Sequence, residues 1–88
     1  MATLTEIEQL ILFTFKVNIG VGKIGNLGDL QTTVNNKLTD KGFSNLQFKD
    51  LVNCCEKLKD LGYLKVQSYQ DYEITQEGSR AITFRNDL

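Results

Sequence analysis

The stretch "LGYLKVQSYQDYEITQEG", residues 61–78, decides the fold. Upstream of it, apolar residues recur every three or four positions; inside it they alternate with a period of two. Leu64 and Val66 alternate with Lys65 and Gln67, and Tyr72 and Ile74 alternate with Asp71 and Glu73. Such alternation puts successive side chains on opposite faces of a strand. Two short runs of this kind, meeting at a polar tip near residues 68–71, predict an antiparallel hairpin. Thr75 then suits the N-cap of a short last helix over residues 76–84, burying Ala81 and either Phe84 or Ile82.

Working backwards, Gly62 is the stop signal of a helix, with Leu58 and Tyr63 in the contact positions of a Schellman ending. Phe48, Leu51, Val52, Cys55 and Leu58 form the inward stripe of that helix. Its start reads Ser44-Asn45-Leu46-Gln47, a capping box, with Phe43 and Phe48 as the flanking hydrophobic staple. The preceding helix begins near Gly28 or Asp29, turns Leu30, Val34 and Leu38 inward, and ends at Gly42 with the same Schellman arrangement of Leu38 and Phe43. The first helix opens on the capping box Thr5-Glu6-Ile7-Glu8 and runs to about Val17. Leu4, Ile7, Leu10, Ile11, Phe15 and Val17 share one broad face, while Leu12 lies nearly opposite and Phe13 on the flank.

Between the first two helices lies "NIGVGKIGNLGD", residues 18–29, with four of the chain's seven glycines. Its centre matches the G-x-G-x-x-G pattern of dinucleotide loops. Such a loop works by leaving a strand and entering a helix, which sets pyrophosphate on free backbone N–H groups. Here the run leaves a helix, no βαβ unit follows, and Gly22-Lys23 precedes Ile24 where a P-loop needs Ser or Thr. The expected role is a connector, with "KIG" as a short edge strand on the hairpin and no nucleotide cofactor.

Eighty-eight residues give one expected domain, 1–88, with 41% apolar and 24% charged residues. No apolar run is long enough to span a membrane, and "LILFTFKV" follows Glu6 and Glu8 rather than a basic start, so a cytoplasmic chain without a signal peptide is expected. The absence of His rules out a histidine base and any His-containing zinc site. Cys54 and Cys55 stand adjacent without a second pair, so no metal site or disulfide framework is expected. Cys55 reads as an inert small hydrophobe on the core stripe, with Cys54 at its edge. With carboxylates scattered over exposed faces and thiols lacking a base, the chain is not expected to be an enzyme.

A helix, the turn "DKGFSN", a second helix ending "EKLKDLGYL", a hairpin and the closing phrase "YEITQEGSRAI" together resemble the winged-helix family, a branch of the helix-turn-helix proteins. The closing phrase is similar to the "Y-x-L-T-x-x-G" ending of many bacterial and archaeal winged-helix regulators. The resemblance covers about two-thirds of the chain and implies an α+β fold: a three-helix helix-turn-helix core, an antiparallel wing of two or three strands, and a short C-terminal helix. It also implies a sequence-specific DNA-binding protein, a transcriptional regulator that contacts double-stranded DNA. The groove-facing helix would span residues 45–60, with Asn45 and Gln47 at its first turn and Lys49, Asn53 and Lys57 facing outward. Lys37 and Lys41, ending the helix before it, would add phosphate contacts, and Lys65 would be the cation of the wing.

Asn and Gln read adenine bidentately, and Lys contacts guanine or phosphate. The charge balance tempers this picture. Net charge is −1, the isoelectric point is near 5.3, and Asp50, Glu56 and Asp60 offset the lysines. No basic residue lies between Lys65 and Arg80, so weak binding per protomer and paired half-sites are expected. The alternative is a winged helix used as a protein-interaction module, in which the mixed-charge helix and the Tyr69/Tyr72 wing meet a protein partner. Leu12 and Phe13, off the core stripe, are expected to form the contact of a homodimer.

Overall fold

The computed structural model describes residues 4–82. Helix α1 (Glu6–Thr14) continues into a π-helical turn, Phe15–Ile19, and strand β1 (Ile24–Asn26) leads directly into α2 (Leu27–Asp40). Helix α3 (Phe48–Asp60) is followed by the strands β2 (Leu64–Ser68) and β3 (Asp71–Ile74) and by α4 (Gln76–Ala81). The strands form one antiparallel sheet in the order β1-β3-β2. The architecture is α+β, and the short edge strand expected from "KIG" is present. Phe84, expected to close the last helix, lies outside the described residues.

Local signals set most of the boundaries. Thr5 Oγ1 accepts from the Glu8 N–H while a Glu8 carboxylate oxygen accepts from the Thr5 N–H, completing the first capping box. Gly42 and Gly62 adopt φ of 84° and 87°, and the N–H groups of Phe43 and Tyr63 return to the carbonyls of Leu38 and Leu58 at 2.8 and 2.9 Å. Both are Schellman endings, at the glycines where they were expected. Thr75 caps α4 by accepting from the Gly78 N–H, and its hydroxyl also donates to the Gly62 carbonyl. A Cβ on Gly78 would lie 2.1 Å from the Tyr63 carbonyl oxygen. The T-x-x-G phrase is thus a corner in which α4 seats directly on the backbone entering β2.

The core joins Leu10, Ile11, Leu12 and Phe15 of the first helical segment to Leu27, Leu30, Val34 and Leu38 of α2, Leu51, Cys55 and Leu58 of α3, and Leu64, Tyr72 and Ile74 of the sheet. Leu12 is a correction. It is 0% exposed, because α1 packs against α2, α3 and α4 and the side carrying Glu8 and Leu12, one turn apart, is covered. A helix packed against three others buries more than one stripe, so a one-stripe reading misplaces some of its apolar residues. Val17, expected inside, lies in the π-helical turn and is 47% exposed; Ile19 packs against Gly25 instead. Ala81, expected to be buried, is exposed, and Ile82 takes the inward place.

Candidate nucleic-acid interface

The link between α2 and α3 is longer than the sequence implied. No capping box forms at Ser44: the chain stays irregular through Leu46, and Gln47 is the N-cap, with no hydrogen bond from its side chain. The cause sits on α2. Asn35 Oδ1 accepts from the Leu46 N–H at 2.7 Å while its amide donates back to the Leu46 carbonyl, joined there by Gln31. This clamp satisfies both backbone groups of Leu46 and pulls the chain against α2, delaying the helix. Phe43 and Phe48 consequently do not staple: Phe43 lies in a cleft against α1, and Phe48 in a groove against the hairpin.

From this fixed start, α3 turns Leu51, Cys55 and Leu58 inward, and Lys49, Asn53 and Asp60 to solvent. Gln47, Lys49 and Asn53 are exposed, and none of their side chains has a hydrogen-bond or ion-pair partner among the described residues. Of the other sequence-predicted site residues, Asn45, Lys57 and Lys37 are engaged elsewhere, and Lys41 and Lys65 are not, among the described residues. Asn45 precedes the helix and its Oδ1 accepts from the Thr39 hydroxyl at 3.1 Å. Lys57 is exposed as expected, but its amine lies 2.9 Å from the carboxylate of Glu8, whose side chain is 5% exposed. Lys37 stands over the Phe13 ring, 5.6 Å from its centroid, and Lys41 lines the cleft that α1 forms with the end of α2. Lys65 is exposed on β2, directly across the ladder from Glu73.

Sequence reasoning missed Glu8 as an ionic partner, since its role in the capping box gave no reason to look further. One oxygen serves Thr5 and the other Lys57. Burial pushes the Glu8 pKa up, but the Lys57 ammonium and the donors of Thr5 outweigh it and hold the carboxyl below its ordinary value. This one side chain ties the start of α1 to the last turn of α3.

On the opposite flank, Glu56 accepts from the Tyr72 hydroxyl and from Lys59. Burial and this hydrogen bond push the Tyr72 phenol well above its usual range. Here α3 and the hairpin diverge, leaving an open groove of about 490 Å³. Phe48 and Val52, expected in the core, line it together with Val66, 41% exposed, and Tyr69, 87% exposed. At the hairpin tip, Gln70 takes a φ of 63°, and Asp71 accepts from Asn26 and from Ser68 at 2.9 and 2.7 Å. Those two hydrogen bonds lower the Asp71 pKa. The acidic tip is therefore a structural anchor that holds the turn to the start of α2.

The glycine-rich run has a conformational reading. Gly20 and Gly22 take φ of 105° and 85°, a region that only glycine enters freely. A Cβ on Gly25 would fall 2.2 Å from Ile19 Cδ1, so that glycine admits the π-helical turn against β1. Of the thiols, Cys55 is fully buried and burial pushes it up to about 12. Cys54 is raised by burial and by the charges of Glu8 and Asp50, the reverse of an activated thiol. Among the described residues no helix is long and apolar enough to cross a membrane. Compared with protein-family models, curated proteins and solved structures, the chain gives no significant match.

Proposed function

We propose that the chain is a winged-helix DNA-binding protein, a transcriptional regulator that reads duplex DNA through the start of α3. The observation that carries this reading is exposure without partners: the side chains of Gln47, Lys49 and Asn53 stand unpartnered among the described residues at the solvent-facing start of α3, while Asn45, Glu56 and Lys57 nearby are engaged. Lys49 and Asn53 are four residues apart and share a helical face. Asn53 and Gln47 suit the donor–acceptor edge of adenine, and Lys49 suits guanine or phosphate. The hairpin tip beside α3 adds Tyr69, with Lys65 as the cation of the wing.

The electrostatics make this a weak binder. With Lys57 spent on Glu8 and Lys37 turned to Phe13, phosphate neutralisation falls to Lys49 and Lys65. The slope of log K against log salt is then about −2 per protomer at ~0.9 for each phosphate. Titration against random-sequence duplex DNA at low salt tests the reading, with Lys49→Ala/Asn53→Ala as the control. Weak binding that the double variant abolishes, at unchanged helicity, supports it. Equal binding by parent and variant refutes α3 as the reader.

One observation favours a second reading, the protein-interaction module. The groove between α3 and the hairpin presents Phe48, Val52, Val66 and Tyr69, apolar surface that DNA phosphates do not need. Lack of DNA binding at low salt, with Tyr69→Ser abolishing capture of a defined protein ligand, would favour this reading.

A further inference from the structure

A second concave surface lies away from the groove, where α1 meets the end of α2. It encloses about 450 Å³. Its floor is core, Leu10 and Leu38, and its walls are Ile7, Phe13 and Phe43. Phe43 is 48% exposed, yet its backbone is fixed, because it follows the left-handed Gly42 and its N–H is bound to the Leu38 carbonyl. The phenyl group is thus presented on a rigid turn beside the hollow. The rims carry opposite charges: Glu6 on the α1 side and Lys41 on the α2 side, neither in an ion pair among the described residues.

We propose that this cleft is a self-association surface. Two copies meet across a two-fold axis, each inserting Phe43 into the other's cleft and pairing Glu6 with the partner's Lys41. The rim charges argue for a second copy over another partner. A two-fold axis running along the cleft brings the α1 rim of one copy against the α2 rim of the other, so both charge pairs are attractive. A uniformly acidic or basic partner meets its own sign on one rim. The contact moves from Leu12, which the fold encloses, to Phe13 with Ile7 and Phe43. The surface is small, which places the association at the weak, reversible end of the range.

The experiment is sedimentation of the full chain over a concentration series, with circular dichroism confirming that each variant is folded. The parent mass should rise toward twice the protomer mass with concentration, and Phe43→Ser should stay monomeric. Glu6→Lys alone and Lys41→Glu alone place like charges across both contacts and should each weaken association about tenfold or more. The double reversal Glu6→Lys/Lys41→Glu restores opposite charges and should recover it. A parent that stays monomeric at high micromolar concentration overturns the proposal. So does a double reversal that associates no better than the single ones.

Discussion

Replacing Lys57 with methionine separates two accounts of that residue. As an outward phosphate contact, Lys57 would affect DNA affinity and leave stability almost untouched. The geometry makes it the counter-ion of Glu8, with the amine 2.9 Å from a carboxylate that is 5% exposed while the lysine side chain itself is 51% exposed. Removing one partner of a fully buried pair costs about 3–5 kcal/mol, whereas exposed pairs are worth about 0.2–1 kcal/mol. Here the acid is buried and the base half in water, so Lys57→Met should cost about 2 kcal/mol, much of it the isolation of the carboxylate. Glu8→Gln keeps an oxygen for the Thr5 N–H, so it spares the capping box and isolates the ionic part. The two single variants and their combination form a double-mutant cycle, measured by urea denaturation. The pH dependence has a definite sign. The folded pKa of Glu8 lies below its ordinary value of 4.5, so the unfolded chain binds more protons between the two values and stability rises with pH there. The contribution is fully present above the ordinary value and is lost as pH falls through the folded one. Both single variants should flatten that acid limb. A Lys57→Met protein as stable as the parent, with the same acid limb, would refute the assignment.

Other outcomes follow from the same contacts. Asn35→Ala should destabilise the fold by about 1–2 kcal/mol, since it leaves the Leu46 N–H without its partner; chemical denaturation measures it. Gly78→Ala should cost about 3 kcal/mol, because the new Cβ meets the Tyr63 backbone, which cannot step aside. Gly25→Ala should cost only about 1 kcal/mol, since its nearest obstacle is the movable end of Ile19, and thermal melts of the two variants rank them. ATP, GTP and NAD should leave the melting temperature unchanged. A ligand at a hundred times its dissociation constant would add about 2.7 kcal/mol, and a clear rise would reinstate the glycine run as a nucleotide loop.

Features encoded within a few residues were legible in the sequence. The Schellman endings at Gly42 and Gly62 and the capping boxes at Thr5 and Ser44 are all local patterns, and only the Ser44 box fails. It fails because Asn35 and Gln31, a helix away, offer the Leu46 backbone hydrogen bonds that the helix start would otherwise have to supply. Leu12 was misplaced for a related reason: helical periodicity reports one buried face, and α1 is covered by three helices. The hairpin was legible from its alternation, but Val66 is half in water because the tip diverges from α3, which no property of β2 alone records.

The candidate site was less legible, because chemical type is local and availability is not. Lys49 and Lys57 look alike in sequence, and only the fold gives one of them a buried acid. The outcome bears on specificity. Non-specific affinity for DNA grows with phosphate contacts, whereas discrimination grows with contacts to base edges. A helix start left with two amides and one lysine, itself offset by the neighbouring Asp50, is poor in the first and comparatively rich in the second. On the proposed reading, each protomer discriminates better than it binds, and a second protomer on an adjacent half-site supplies affinity without adding charge. Self-association through the Phe43 cleft would meet that need only where its two-fold axis leaves both α3 helices facing the same side of the duplex, about one helical turn apart. Half-site spacing measured by footprinting therefore connects the two proposals. Protection at a single half-site, unchanged by Phe43→Ser, would mean that the cleft serves something other than DNA binding.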